Sequence, residues 1–176
     1  MASSATPYGL KPVKRADGTP YAGAVTHYKI DPAGVANNIF YGSIVQLTAA
    51  GYVEFVGCEY VDASGQTQYS QYYPTASLTA VAYVVDDPNV LFQAQLDAVS
   101  GQDDVGTVTG FPAAQNALTS GNTATGDSTM ALDATVQTTV GGLLIMGFVS
   151  ATDDTYPDVL VKFTTGGHRV TMSTGV

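Results

Sequence analysis

The alternation of apolar and polar positions predicts a series of short β-strands from residue 24 onward and no long helix. Tyr52 to Gly57 alternates, with Val53 and Phe55 on one apolar face, as a strand with one buried side does. Val90 to Leu96 sets Val90, Phe92, Ala94 and Leu96 against Leu91, Gln93 and Gln95, which predicts a half-buried strand. Leu78 to Val85 reads as a buried strand by length and β-branching, and Gly142 to Val149 and Val159 to Thr164 as two further strong strands. Ala24 to Ile30 alternates in part until Asp31-Pro32-Ala33-Gly34 breaks it, and Ile39 to Leu47 is apolar around Gly42. Asp104 to Gly110 and Val170 to Met172 are shorter candidates. No window holds a 3.6-residue apolar stripe over three turns, and Ala113 to Leu118 is the best candidate for a single helical turn.

Between these runs lie turn-forming stretches. Asp62 to Pro74 is polar and tyrosine-rich and predicts a long loop; Ser120 to Ser128 is small and polar and predicts a surface loop. Residues 1–24 hold Pro7, Pro12 and Pro20 without sustained periodicity. Proline fixes φ and removes a donor, so this segment is expected to be an extended arm, ordered where it lies on something else. The reading is therefore all-β: a compact β-barrel or β-sandwich of short strands, with an extended N-terminal arm over 1–24 and a single β domain over 25–176. Strand pattern does not fix closure, so barrel and sandwich both stand.

Composition sharpens this picture. The 176 residues suit one domain, and 12% charged residues is about half the usual share, which leaves too few charges for helical i,i+4 ion-pair ladders. A net charge of −9 with six Lys and Arg argues against nucleic acid, whose phosphates require clustered cations. Three of those six, Lys11, Lys14 and Arg15, fall in the first fifteen residues, so the arm is basic and the body acidic. From charge alone a solvated tail is the simpler reading; docking on an acidic surface is the functional one. The lone Cys58 rules out an intrachain disulfide framework and reads as a buried inert thiol. The N-terminus has no apolar core of signal-peptide length, and the longest apolar run, 141–149, is too short to span a bilayer, so a soluble chain made in a cytoplasm without export is expected.

The search for chemistry returns little. His27 and His168 stand far apart, with no nucleophile elbow and no Cys-His signature around Cys58. The pairs Asp86-Asp87, Asp103-Asp104 and Asp153-Asp154 invite a glycosidase or hard-cation reading. Adjacent strand residues point to opposite faces, however, and each pair sits at a turn, where Asp caps backbone N–H groups. No phosphate-binding glycine pattern is present. No catalytic residue, no metal site and no cofactor is expected. The tyrosines are more informative: Tyr69, Tyr72 and Tyr73 cluster in the predicted loop, where they either form an interface or fold back onto the sheet.

The opening, Pro7-Tyr8-Gly9-Leu10-Lys11-Pro12-Val13-Lys14, then Gly18 to Gly23 and a first strand from Ala24 to Ile30, resembles the start of a family of accessory head proteins of tailed bacteriophages. The resemblance continues in YGSIVQLTAAGYV, YVVDDPNVLFQAQLD, GDSTMALD and MGFVSATDDTYPDVLVKF, in the family's order and over nearly the whole chain. The closing TTGGHRVTMSTGV departs from it, which leaves the role of the tail 165–176 open. The resemblance implies a non-enzymatic decoration or cement protein on the virion's capsid exterior, whose partners are the major capsid protein and itself, as a dimer or trimer, with neither nucleic acid nor membrane. It makes Pro7, Tyr8, Leu10, Lys11, Pro12, Lys14 and Arg15 a capsid-docking arm. The alternative is a carbohydrate-binding or tail-fibre-like adhesin that uses the tyrosine loop.

Overall fold

The computed structural model describes residues 4–31, 35–47, 51–75, 79–109, 120–137 and 142–164. The candidate helical turn at 113–118, the strand at 170–172, His168 and the tail 165–176 lie outside the described residues. Among the described residues there are eleven strands: β1 (Lys11–Arg15), β2 (Thr26–Ile30), β3 (Ile44–Gln46), β4 (Tyr52–Val61), β5 (Thr67–Ser70), β6 (Ala80–Val85), β7 (Val90–Gln95), β8 (Val108–Thr109), β9 (Val136–Gln137), β10 (Leu143–Phe148) and β11 (Asp158–Phe163). The all-β expectation holds, and among the described residues the only helical element is a 3-10 turn at Gln102–Asp104.

The strands form two antiparallel sheets. One has six strands in the order β1-β7-β11-β10-β8-β9; the other runs β2-β6-β4-β3, with β5 added to β4. The chain passes from the second sheet to the first at the β6–β7 connection, where the Asp87 carboxylate accepts from Asn89 N–H at 2.9 Å. Asp there closes the turn by taking up a backbone donor, as its position beside Pro88 predicts.

Two apolar cores result. The first is built on the six-stranded sheet from Leu10, Val90, Phe92, Ala94, Leu96, Leu143, Ile145, Val159, Val161 and Phe163, with Val85 of β6 buried among them. Ile44, Tyr52 and Val56 of the second sheet pack on this core. The second core lies on the other face of the five-stranded sheet, from Val53, Phe55, Cys58, Ala80, Ala82 and Val84, closed by Ile39 and Tyr73. Strand β4 therefore buries both of its faces over its first half.

Three local expectations are corrected. The predicted loop 62–74 contains strand β5, which pairs with the end of β4 through Glu59↔Tyr69 and Tyr60↔Gln68. Its turn is organised by Asp62, whose carboxylate accepts from the Ser64 hydroxyl at 2.6 Å and from Gln66 N–H at 3.0 Å. These bonds, the Ser64 one first, lower its pKa to about 2. Strand β7 is buried on both sides instead of half-buried, and on the side of Leu91 and Gln95 the Gln95 amide donates to Ser4 O of the N-terminal segment at 3.2 Å. Residues 4–15, expected in a separate arm, are part of the body: β1 pairs with β7, and Leu10 is wholly buried in the first core.

Candidate functional site

The N-terminal segment is held by its own body at nearly every candidate docking residue. Gly9 and Gly42 cross with φ of +74° and +85°, and a Cβ on Gly42 would stand 2.7 Å from the Leu10 carbonyl oxygen. Only glycine reconciles this backbone approach with positive φ, and the crossing lets Leu10 N–H donate to Gly42 O at 2.8 Å. Beyond Pro7, the Tyr8 hydroxyl donates to Asp158 Oδ1 at 3.0 Å. Burial first, and then the Asp158 carboxylate, raises the Tyr8 pKa. Thr6 N–H donates to Gln95 Oε1 at 2.8 Å.

The cations follow the same pattern. Lys11 pairs with Asp127 at 3.1 Å and lies 4.1 Å from the centre of the Tyr41 ring. Arg15 pairs with Asp87 at 3.0 Å. Lys14 forms no ion pair among the described residues, and neighbouring Val13 is 43% exposed. The segment's basic character is thus mostly answered by the body's own aspartates. Pro12 sits at the register shift between β1 and β7, a position where the sheet tolerates its missing N–H.

Beneath this segment lies a residue the sequence did not single out. Glu54 on β4 is completely buried and neither carboxylate oxygen has a hydrogen-bond partner. Burial raises its pKa well above the usual carboxylate value, offset in part by the positive charge of Lys11. The same carboxyl group adds to the burial that lifts the Tyr21 phenol to about 12.

The tyrosine cluster divides three ways. Tyr73 is wholly buried in the second core and is not an interface residue. Its N–H donates to Ile39 O and its carbonyl accepts from Ile39 N–H, which draws the ring inward. Tyr72 stacks on Phe40, with ring centroids 5.7 Å apart and planes at 20°. Tyr69 alone stands out, 73% exposed on β5. Strand register gives it companions. Lys29↔Val81, Val81↔Glu59 and Glu59↔Tyr69 are successive cross-strand partners, so these four side chains share one row on one sheet face. Tyr83 and His27 pair in the adjacent row with ring centroids 4.6 Å apart, and the Tyr83 hydroxyl donates to Glu59 Oε2 at 3.3 Å. Sequence reasoning missed Tyr83, Glu59 and Lys29, because only pairing across four strands brings them to Tyr69.

The aspartate pairs are structural where their bonds are seen. Asp86 accepts from Thr26 and Tyr28 hydroxyls at 2.7 and 2.8 Å. Asp104 accepts from the Ser100 hydroxyl and Gly101 N–H at 2.7 and 3.0 Å. Cys58 is buried, which raises its thiol pKa to about 12 and leaves it a poor nucleophile. Among the described residues no group of three or more His, Cys, Asp or Glu side chains is placed to hold a metal ion. No helix among them is long and apolar enough to cross a membrane. No family model, no curated protein and no solved structure matches the chain.

Proposed function

We propose that the chain is a structural virion protein that decorates the outer surface of a tailed-phage capsid and cements major capsid protein subunits. One observation supports this reading: the separated sequence blocks that carry the resemblance converge in space. Gly9 and Leu10 of the opening block meet Gly42 of YGSIVQL, and Lys11 meets Asp127 of GDSTMALD. Arg15 meets Asp87 of YVVDDPNVLFQAQLD, and Tyr8 meets Asp158 of the closing block. Motifs separated by up to 150 residues of sequence are thus among the contacts that join the N-terminal segment to the body.

With the segment built into the sheet, docking falls to what it leaves outward. The exposed Val13 and the half-exposed Lys14 on β1 are offered to a coat subunit, and the −9 charge keeps the decorated surface dispersed. Self-association into a dimer or trimer at a local symmetry axis of the shell belongs to the same proposal.

Co-sedimentation with heads assembled without the protein tests it. Saturable binding at a fixed ratio to the major capsid protein is expected, and the double variant Val13→Asp/Lys14→Glu is expected to weaken it at least tenfold while folding normally. A protein that stays in the supernatant at every concentration overturns the proposal.

A further inference from the structure

The face that carries Glu59 is covered at one end and bare at the other. At the β6 end, Val85 is buried beneath the six-stranded sheet; two and four residues back along the same face, Tyr83 and Val81 are only partly covered. Beyond that cover lies the row Lys29, Val81, Glu59, Tyr69, with His27 and Tyr83 in the row beside it. Neighbouring strands stand about 4.8 Å apart, so a row across four strands is about 15 Å long. A cleft of about 210 Å³ lies beside the Lys29, Val81 and Glu59 part of the row, and Tyr60, Val61 and Thr79 complete most of its lining.

We propose that this bare face is a carbohydrate-binding site whose ligand is a short neutral oligosaccharide, stacked on Tyr69 and hydrogen-bonded by Glu59 and Lys29. A pyranose presents an apolar C–H face and a rim of hydroxyls that both donate and accept. The Tyr69 ring is exposed and makes no ring contact among the described residues, so its face is available for stacking. Glu59 is oriented by the Tyr83 hydroxyl on Oε2, which leaves Oε1 to accept from a sugar hydroxyl. The Lys29 ammonium, in no ion pair among the described residues, supplies donors at the other end of the row.

Charge and size select this occupant. One cation and one carboxylate flank an apolar floor, so the row favours neither sign, and the −9 body repels polyanions. Two rows about 7 Å apart, the longer about 15 Å, span roughly 100 Å², far below the ~800 Å² per partner of a stable protein interface, yet with room for one or two sugar rings. Val13 and Lys14 belong to the other sheet, so the site does not rest on the proposed capsid role, and a capsid-bound copy would still present this face.

The experiment is a printed array of neutral, sulfated and sialylated glycans probed with the full chain, its Tyr69→Ala and Glu59→Gln variants, and co-sedimentation with heads in parallel. Binding to one or more neutral glycans is expected, reduced at least tenfold by Tyr69→Ala and several-fold by Glu59→Gln, with capsid binding and melting temperature unchanged. An array silent for the unmodified chain, signals confined to acidic glycans, or signals indifferent to both substitutions each overturn the site. Loss of capsid binding in Tyr69→Ala also overturns it, because the face would then be a coat contact.

Discussion

Glu54 and Glu59 lie on one strand and, because of an irregularity, on one face of it. The register of β4 against β6 shifts between Phe55 and Gly57, so Glu54 stands opposite Val85 and Glu59 opposite Val81, two residues of β6 with the same orientation. The six-stranded sheet covers the first glutamate completely and leaves the second open to solvent and to the Tyr83 hydroxyl. The same side chain is thereby a source of instability in one place and a recognition group in the other. What separates them is the cover, to which the N-terminal segment contributes β1 and Leu10.

Removing that cover produces the largest effect. Deletion of residues 1–15 strips β7 of an edge partner and takes Leu10 out of the first core. The truncated chain is expected to lose its cooperative urea transition, because an unsealed core forfeits a large share of a domain's marginal stability. The single change Leu10→Ala is expected to cost about 2–5 kcal/mol by urea denaturation. A truncated protein that unfolds with the full chain's midpoint would show that Glu54 is sheltered by something other than this segment.

The crossing of Gly9 and Gly42 is the next lever. Gly42→Ala places a methyl group against the Leu10 carbonyl at a φ that L-residues avoid, and is expected to cost about 1–3 kcal/mol. An alanine variant with an unchanged midpoint would mean that the backbone relaxes there without loosening the sheet.

Glu54 itself gives a pH signature. Below pH 4.5 the folded and unfolded chains both hold its proton, and its burial carries no ionisation penalty. Above that value the unfolded chain releases the proton while the folded chain keeps it, so this residue's contribution declines by up to about 1.4 kcal/mol per pH unit until the raised folded pKa is reached. Glu54→Gln is expected to be more stable than the unmodified chain at pH 8 and no more stable at pH 4, measured by urea midpoints at both values. A difference independent of pH would place the ionisation elsewhere.

The fold class was legible in the sequence because apolar runs of strand length between turn signals leave few alternatives, as β6, β10 and β11 show. The site was less so. Tyr73 and Tyr69 look alike in DASGQTQYSQYYP, and only the pairing of Tyr73 with Ile39 and of Tyr69 with Glu59 sends one to the core and one to solvent. Glu54 reads as the polar side of an alternating strand, since nothing local announces that the second face will be covered by residues 90 to 163. The N-terminal prolines suggested an arm; Leu10, a single apolar residue among them, anchors it inside. Long-range register decides each of these, and single-sequence periodicity carries none of it.

The smallest effect on stability is the one that tests the open end of the comparison. Glu59→Gln keeps the size of the side chain and an acceptor for the Tyr83 hydroxyl while removing the charge. On a half-exposed surface such a change is expected to alter stability by less than about 0.5 kcal/mol. Tyr83 responds instead: burial first, and the Glu59 carboxylate after it, hold its phenol above the ordinary value, so the variant should lower the Tyr83 titration midpoint. Ultraviolet difference titration of Glu59→Gln against the unmodified chain measures that midpoint directly, with Tyr83→Phe identifying the signal. A midpoint that does not move means that Glu59 and Tyr83 are not coupled in solution, and the carboxylate at the open end would then lack the hydrogen bond that orients it.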